Sequence, residues 1–198
     1  YGSDTQQFTG TIGAVVSSKS VFAAASPGTG TIYSDGGGSL RTGNAFYATK
    51  SIHVLGVRIW NPSGDAGFLA LAGTVYAYTG DWKGSAIANP TFASPQQSKA
   101  FSGTRTANTW TDVLFDTPIT LNAIASGINS PDYVVLMVTY AGGNHYVAVP
   151  GIGAPARVSS QDSGVFLAED DFKRGIHNLG NSSPNYTYYG VDMLFEVV

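Results

Sequence analysis

The chain has no cysteine, so neither a disulfide nor a thiolate-bound metal can hold it together. Charge is scarce as well. Asp, Glu, Lys and Arg make up 12% of the 198 residues, about half the share usual in globular domains. The net charge is −3, and the one adjacent basic pair, Lys173-Arg174, sits beside Glu169, Asp170 and Asp171. Nucleic acid needs a concentrated positive footprint, so it is not an expected partner. No run of about 18 apolar residues occurs, and membrane insertion through a helix is not expected. His53, His145 and His177 stand apart in the sequence, and neither a metal-binding H-x-x-x-H spacing nor a G-x-S-x-G elbow is present. Glutamate is limited to Glu169 and Glu196. The first ten residues, "YGSDTQQFTG", carry neither an initiator Met nor a signal-peptide pattern, which suggests a processed chain or part of a longer one.

What is there is β-structure. Hydrophobic residues reach 43%, and they recur at spacing two in short runs separated by Gly, Pro, Asn and Ser. "IHVLGVRIW" predicts a strand with Val54, Gly56, Arg58 and Trp60 on one face and Leu55, Val57 and Ile59 on the other. "NPSGDAG" reads as a loop. "GTVYAYTG" sets Val75 and Ala77 against Tyr76 and Tyr78. In "TWTDVLFDTPITLN", Thr111, Val113 and Phe115 share one face and Trp110, Asp112, Leu114 and Asp116 the other. Pro118 has no N–H for a ladder, so the strand ends there or lies at an edge, and Ile119 and Leu121 resume it. "DYVVLMVTYA" is the most apolar run and predicts a central strand. "NHYVAVPG" is expected to be its hairpin partner across Gly142-Gly143. "GVFLAE", a stretch around "RGIHNL" and "YGVDMLFEVV" bring the total to about nine to twelve strands.

Many short strands without helical periodicity predict an all-β, two-sheet antiparallel β-sandwich, immunoglobulin-like or jelly-roll-like. A short N-terminal arm and first strands occupy residues 1–44, with the sandwich domain over 45–198. A closed barrel fits the same pattern.

Five segments in fixed order carry a resemblance: "GVRIW" at 56–60, "GTVYAYTGDWKGSAI" at 73–87, "WTDVLFDTPITL" at 110–121, "YVVLMVTYAGGNHYV" at 133–147 and "YGVDMLFEV" at 189–197. This order resembles a β-sandwich domain family of unknown function, found in bacterial secreted proteins and in tail and other virion proteins of actinobacterial phages. The chain departs from that pattern in the longer links at 122–132 and 150–188. The resemblance implies a scaffold more than an activity.

Three kinds of site follow from residue types. Sugars stack their apolar faces on exposed aromatic rings, and Trp82, in the turn "TGDWKGS", and Tyr186 and Tyr188, in "PNYTYYG", are the candidate glycan-binding residues. Glu169, Asp170 and Asp171 form the one acidic cluster; it reads as a solvated turn, or as a Ca2+ site using its clustered oxygens. No other cofactor is expected. The arm, with "GTIGAVVSS", can add a strand to the sheet edge of a neighbour or to its own domain. The resulting expectation is a non-enzymatic bacteriophage structural protein at the virion surface, in a tail, decoration or fibre. Its partners would be other virion proteins, copies of itself and a cell-surface glycan. The alternative is a carbohydrate-binding or adhesion module of a secreted or cell-surface bacterial protein.

Overall fold

A computed structural model describes residues 18–22, 30–34, 41–80, 94–123, 133–142, 145–150, 162–167, 176–177, 181–182 and 187–198. Among these, fourteen strands and one helical turn follow in the order β1 (Lys19–Ser20), β2 (Thr31–Ser34), β3 (Thr42–Ala48), β4 (Ile52–Asn61), α1 (Ala66–Leu69), β5 (Gly73–Gly80), β6 (Gln97–Phe101), β7 (Thr109–Leu121), β8 (Tyr133–Tyr140), β9 (His145–Pro150), β10 (Val165–Leu167), β11 (Ile176–His177), β12 (Asn181–Ser182), β13 (Thr187–Tyr189) and β14 (Val191–Val197). All pairings between them are antiparallel. The fold is an all-β sandwich. One sheet has the order β1-β14-β4-β7; the facing sheet runs β12-β11-β3-β8-β5-β6, with β10 also on β3. A third, small sheet, β13-β9-β2, is the addition that a two-sheet reading does not anticipate. No helix among the described residues is long and apolar enough to cross a membrane.

The core lies between the two large sheets. Val54, Val57, Ile59, Val113, Phe115, Val191, Met193 and Phe195 from one meet Phe46, Val75, Ala77, Val134, Leu136 and Val138 from the other. At roughly 1.5–3 kcal/mol per buried large side chain, this layer is the main source of stability in a chain without cross-links. β8 lies between β3 and β5, as its apolar run predicts. On its other face Val135 and Met137 are also buried, so both faces are covered along the middle of the strand and its polar alternation vanishes there.

Two expectations about strands are corrected. The first concerns β4, whose faces exchange part-way along. Ile52 and Val54 point into the core, and so do Val57 and Ile59, which is impossible for strict alternation. The register against β14 steps between the pairs Phe195–Val54 and Leu194–Gly56, leaving Leu55 as one extra residue. A bulge of this kind flips every later side chain. Against β7, residues 115–118 lie opposite that same Leu55, so β7 bows out and returns to pairing at Ile119. Pro118 falls in the bow, on an edge strand, where a missing N–H interrupts no ladder. The second correction concerns β8 and β9, which are not a hairpin. Both edges of β8 are taken by β3 and β5, and β9 pairs with β2 and β13 instead. Gly142, at φ +87, turns the chain out of the large sheet.

The loop after β4 also holds a helical turn. Asp65 caps it, its Oδ1 accepting from the Phe68 N–H at 3.0 Å. Arg105, 6% exposed, locks this turn to the sandwich. Its guanidinium donates to the carbonyls of Phe68 and Leu69 and to Asn61 Oδ1, and it lies 4.7 Å over the Phe68 ring and 4.9 Å over the Tyr140 ring. No carboxylate pairs with it among the described residues. Carbonyl dipoles and ring faces take that place, a task suited to a planar, weakly hydrated cation.

Candidate functional site

The small sheet provides a polar and aromatic edge. β2 pairs with β9 so that Tyr33 stands directly opposite Tyr146 and Ser34 opposite His145. Alternation then separates two faces. On one, Tyr33 stacks on Tyr146 with centroids 5.3 Å apart and planes 16° apart. Tyr146 in turn meets Tyr189 of β13 edge-on at 5.8 Å. Tyr189 is buried and Tyr33 is 43% exposed, so the row runs from the interior to solvent. β2 ends the order of its sheet, and no described strand pairs with its outer edge.

On the other side of β2 lies an open hollow of about 420 Å3. Ile32, Ser34, Ser63, Asp65 and His145 line it. Gly64, at φ +114, lets the chain double back between β4 and α1 and brings Ser63 and Asp65 to this rim. The Asp65 carboxylate, engaged through one oxygen by the Phe68 N–H, is the acid in this lining. The His145 ring stands 6.1 Å from Phe68, and its buried Nδ1 has no hydrogen-bond partner among the described residues. Hydroxyls, a carboxylate and an imidazole offer donors and acceptors of both kinds, and Tyr33 offers an exposed ring face. That combination suits a polyhydroxylated ligand with apolar faces.

The residues singled out in the sequence fall elsewhere. Trp82, Tyr186, Glu169, Asp170 and Asp171 lie outside the described residues. Tyr188 is the middle residue of β13, its backbone opposite Val149. Its neighbour Tyr189 is buried. Among the described residues no group of three or more His, Asp or Glu side chains could hold a metal ion. Glu196 faces His53 across β14 and β4, with Oε1 3.0 Å from Nδ1.

Sequence reasoning passed over Tyr33, Tyr146 and Asp65, and set His145 aside as an isolated histidine. The local signal existed, since "TIYS" and "HYVAV" each alternate a Tyr with Ile or Val. Their pairing joins segments more than a hundred residues apart, and spacing carries no information about that. No protein-family model matches the chain, and no curated protein matches it.

Proposed function

We propose that this chain is a non-enzymatic structural component of a bacteriophage particle, in a tail, decoration or fibre, that presents a glycan-contacting edge to the host surface. The virion context is supported by the ordered resemblance of the five sequence segments. The glycan contact is carried by one observation: Tyr33 is exposed, held flat by Tyr146, and shares its short edge strand with a polar hollow. A saccharide lying across β2 places one apolar ring face on Tyr33 and offers hydroxyls to Ser34, Ser63 and Asp65 on the other side. The ring is pre-positioned by its stack, so binding loses little side-chain freedom there. These groups recognise rather than transform a ligand.

Two measurements test the reading. Tyr33→Ala should weaken retention on host cell-wall polysaccharide by about tenfold, as expected for roughly 1.4 kcal/mol of stacking, while Tyr33→Trp retains it. Unchanged retention in Tyr33→Ala removes the glycan contact. Mass spectrometry of purified particles should find the chain in the virion. Its recovery instead from a secreted polysaccharide-binding protein would replace the virion context with the adhesion module.

A further inference from the structure

Most acidic side chains among the described residues are matched by a basic one. Asp112 pairs with Arg58, Asp116 with Lys99 and Asp162 with Lys19 and Lys50, while Glu196 lies against His53. Asp192 is buried, and its carboxylate accepts the N–H groups of Val21, Phe22 and Met193. Asp65 differs from all of these. It is exposed, and no ion pair among the described residues includes it. Its Oδ1 takes the Phe68 N–H at 3.0 Å, and its Oδ2 has no partner among those residues. This same carboxylate stands at the rim of the hollow beside β2. Neither Lys nor Arg lines that hollow among the described residues. The approach to the carboxylate is open as well, since a Cβ built at the neighbouring Gly64 would meet nothing within 4 Å.

We propose that Asp65 selects the ligand of the hollow by charge, favouring a glycan with free amines over its N-acetylated counterpart and disfavouring an acidic one. The inference rests on the glycan contact at Tyr33. A sugar ammonium in the hollow donates to the open oxygen of Asp65 in a charge-assisted hydrogen bond. An acetamide in the same place brings no charge. A sugar carboxylate meets a like charge with no Lys or Arg of the described lining to offset it, which rejects it by repulsion. The site is open to solvent, so the gain is that of an exposed ion pair. That corresponds to about threefold to fivefold in Kd, and salt should reduce it.

Three probes of equal length test this on the full chain: glucosamine oligomers, N-acetylglucosamine oligomers of the same linkage and galacturonic acid oligomers. Affinities are measured by calorimetry at about pH 6, where the sugar amine carries its proton. The expected order is amine, then acetylated, then acidic. Asp65→Asn removes the charge but keeps an oxygen for the Phe68 N–H, so the helical turn retains its cap; Asp65→Ser does the same should the asparagine disturb the loop. Either variant should lower affinity for the amine oligomer about threefold to fivefold, to the level of the acetylated one, whose own affinity stays unchanged. His145 is common to all variants and cancels from the comparison. Asp116→Asn removes an equal charge from an exposed side chain elsewhere and should leave the preference intact. It separates Asp65 from a general attraction of a cationic oligomer to a chain of net charge −3. Equal affinity of the unaltered chain for amine and acetylated oligomers, with both weakened by Tyr33→Ala, leaves the glycan contact standing and overturns the charge selection. A preference that survives in Asp65→Asn, or that Asp116→Asn abolishes equally, also overturns it. If none of the three oligomers binds, the glycan contact itself falls and the selection falls with it.

Discussion

Replacing Asp192 by Asn should change how stability depends on pH, and the size of the change can be worked from the burial of this one carboxylate. Asp192 is shut away from water, and burial pushes its pKa from an ordinary 3.8 up to about 7. The N–H groups of Phe22, Met193 and Val21 and the charge of Arg58 oppose that rise without cancelling it. Arg58 is itself engaged by Asp112, 2.9 Å away on β7, which leaves it less charge to lend. Between the two pKa values the folded chain keeps a proton that the unfolded chain has released. Stability from this group is therefore complete below about pH 4 and is lost as the pH rises to about 7. Three pH units at about 1.4 kcal/mol each amount to about 4 kcal/mol. Asparagine does not titrate. Its amide sets an N–H2 against backbone donors, a fixed cost of about 1–3 kcal/mol at any pH. Urea unfolding followed by tryptophan fluorescence, from pH 4 to pH 8, measures both chains. The stability difference between them should shift by about 4 kcal/mol across that range, in favour of Asp192→Asn at the alkaline end. A difference that stays constant would mean that Asp192 ionises as it does in the unfolded chain, and the burial argument would fail.

Other consequences are as direct. Asp162, whose pKa is drawn down to about 2 chiefly by Lys50, with help from the Gly164 N–H and Lys19, should act in the opposite sense: its stabilisation is present above about pH 4 and lost as the pH falls towards 2, so Asp162→Asn should flatten the acid limb of a Tm-against-pH curve. Arg105→Lys keeps the charge but loses the planar fork that reaches two carbonyls and Asn61; a loss of about 2–3 kcal/mol in denaturant unfolding is expected, and a loss below about 0.5 kcal/mol would contradict the role given to the fork. At Gly43, a Cβ would stand 1.8 Å from the Leu136 carbonyl oxygen, so Gly43→Ala must push β3 from β8 and should cost about 1–3 kcal/mol or prevent folding, read as a lower Tm.

Much of the architecture could be read from alternation. "TWTDVLFD" shows its buried and exposed faces residue by residue as the structure has them, and in "GTVYAYTG" Val75 and Ala77 are buried on one face while Tyr78, on the other, is fully buried as well. The reading failed where geometry departs from period two. The extra residue at Leu55 reverses the later half of β4, and nothing in "HVLGVRIW" marks it except Gly56, whose Cβ would lie 2.4 Å from the Val113 carbonyl oxygen. It failed again where pairing is non-local. The Gly-Gly after β8 is a sound turn signal, but a turn does not say which strand comes next to which. Edges already filled by β3 and β5 decided that. The candidate site was less legible still. Its aromatic row needs β2, β9 and β13 side by side, and a sequence shows only that each contains a tyrosine.

β14 sits inside its sheet, with β1 on one side and β4 on the other, although it follows all the other described strands in the chain. Until residues 191–197 emerge, the apolar row of β4 has no lid on that flank, and β1 has nothing to dock on. Synthesis must therefore deliver everything from β1 to β14 before the four-stranded layer can close. Nascent chains should expose Ile52, Val54 and Val57 to chaperones until residues 191–197 emerge, and chains cut before residue 191 should be degraded rather than accumulate.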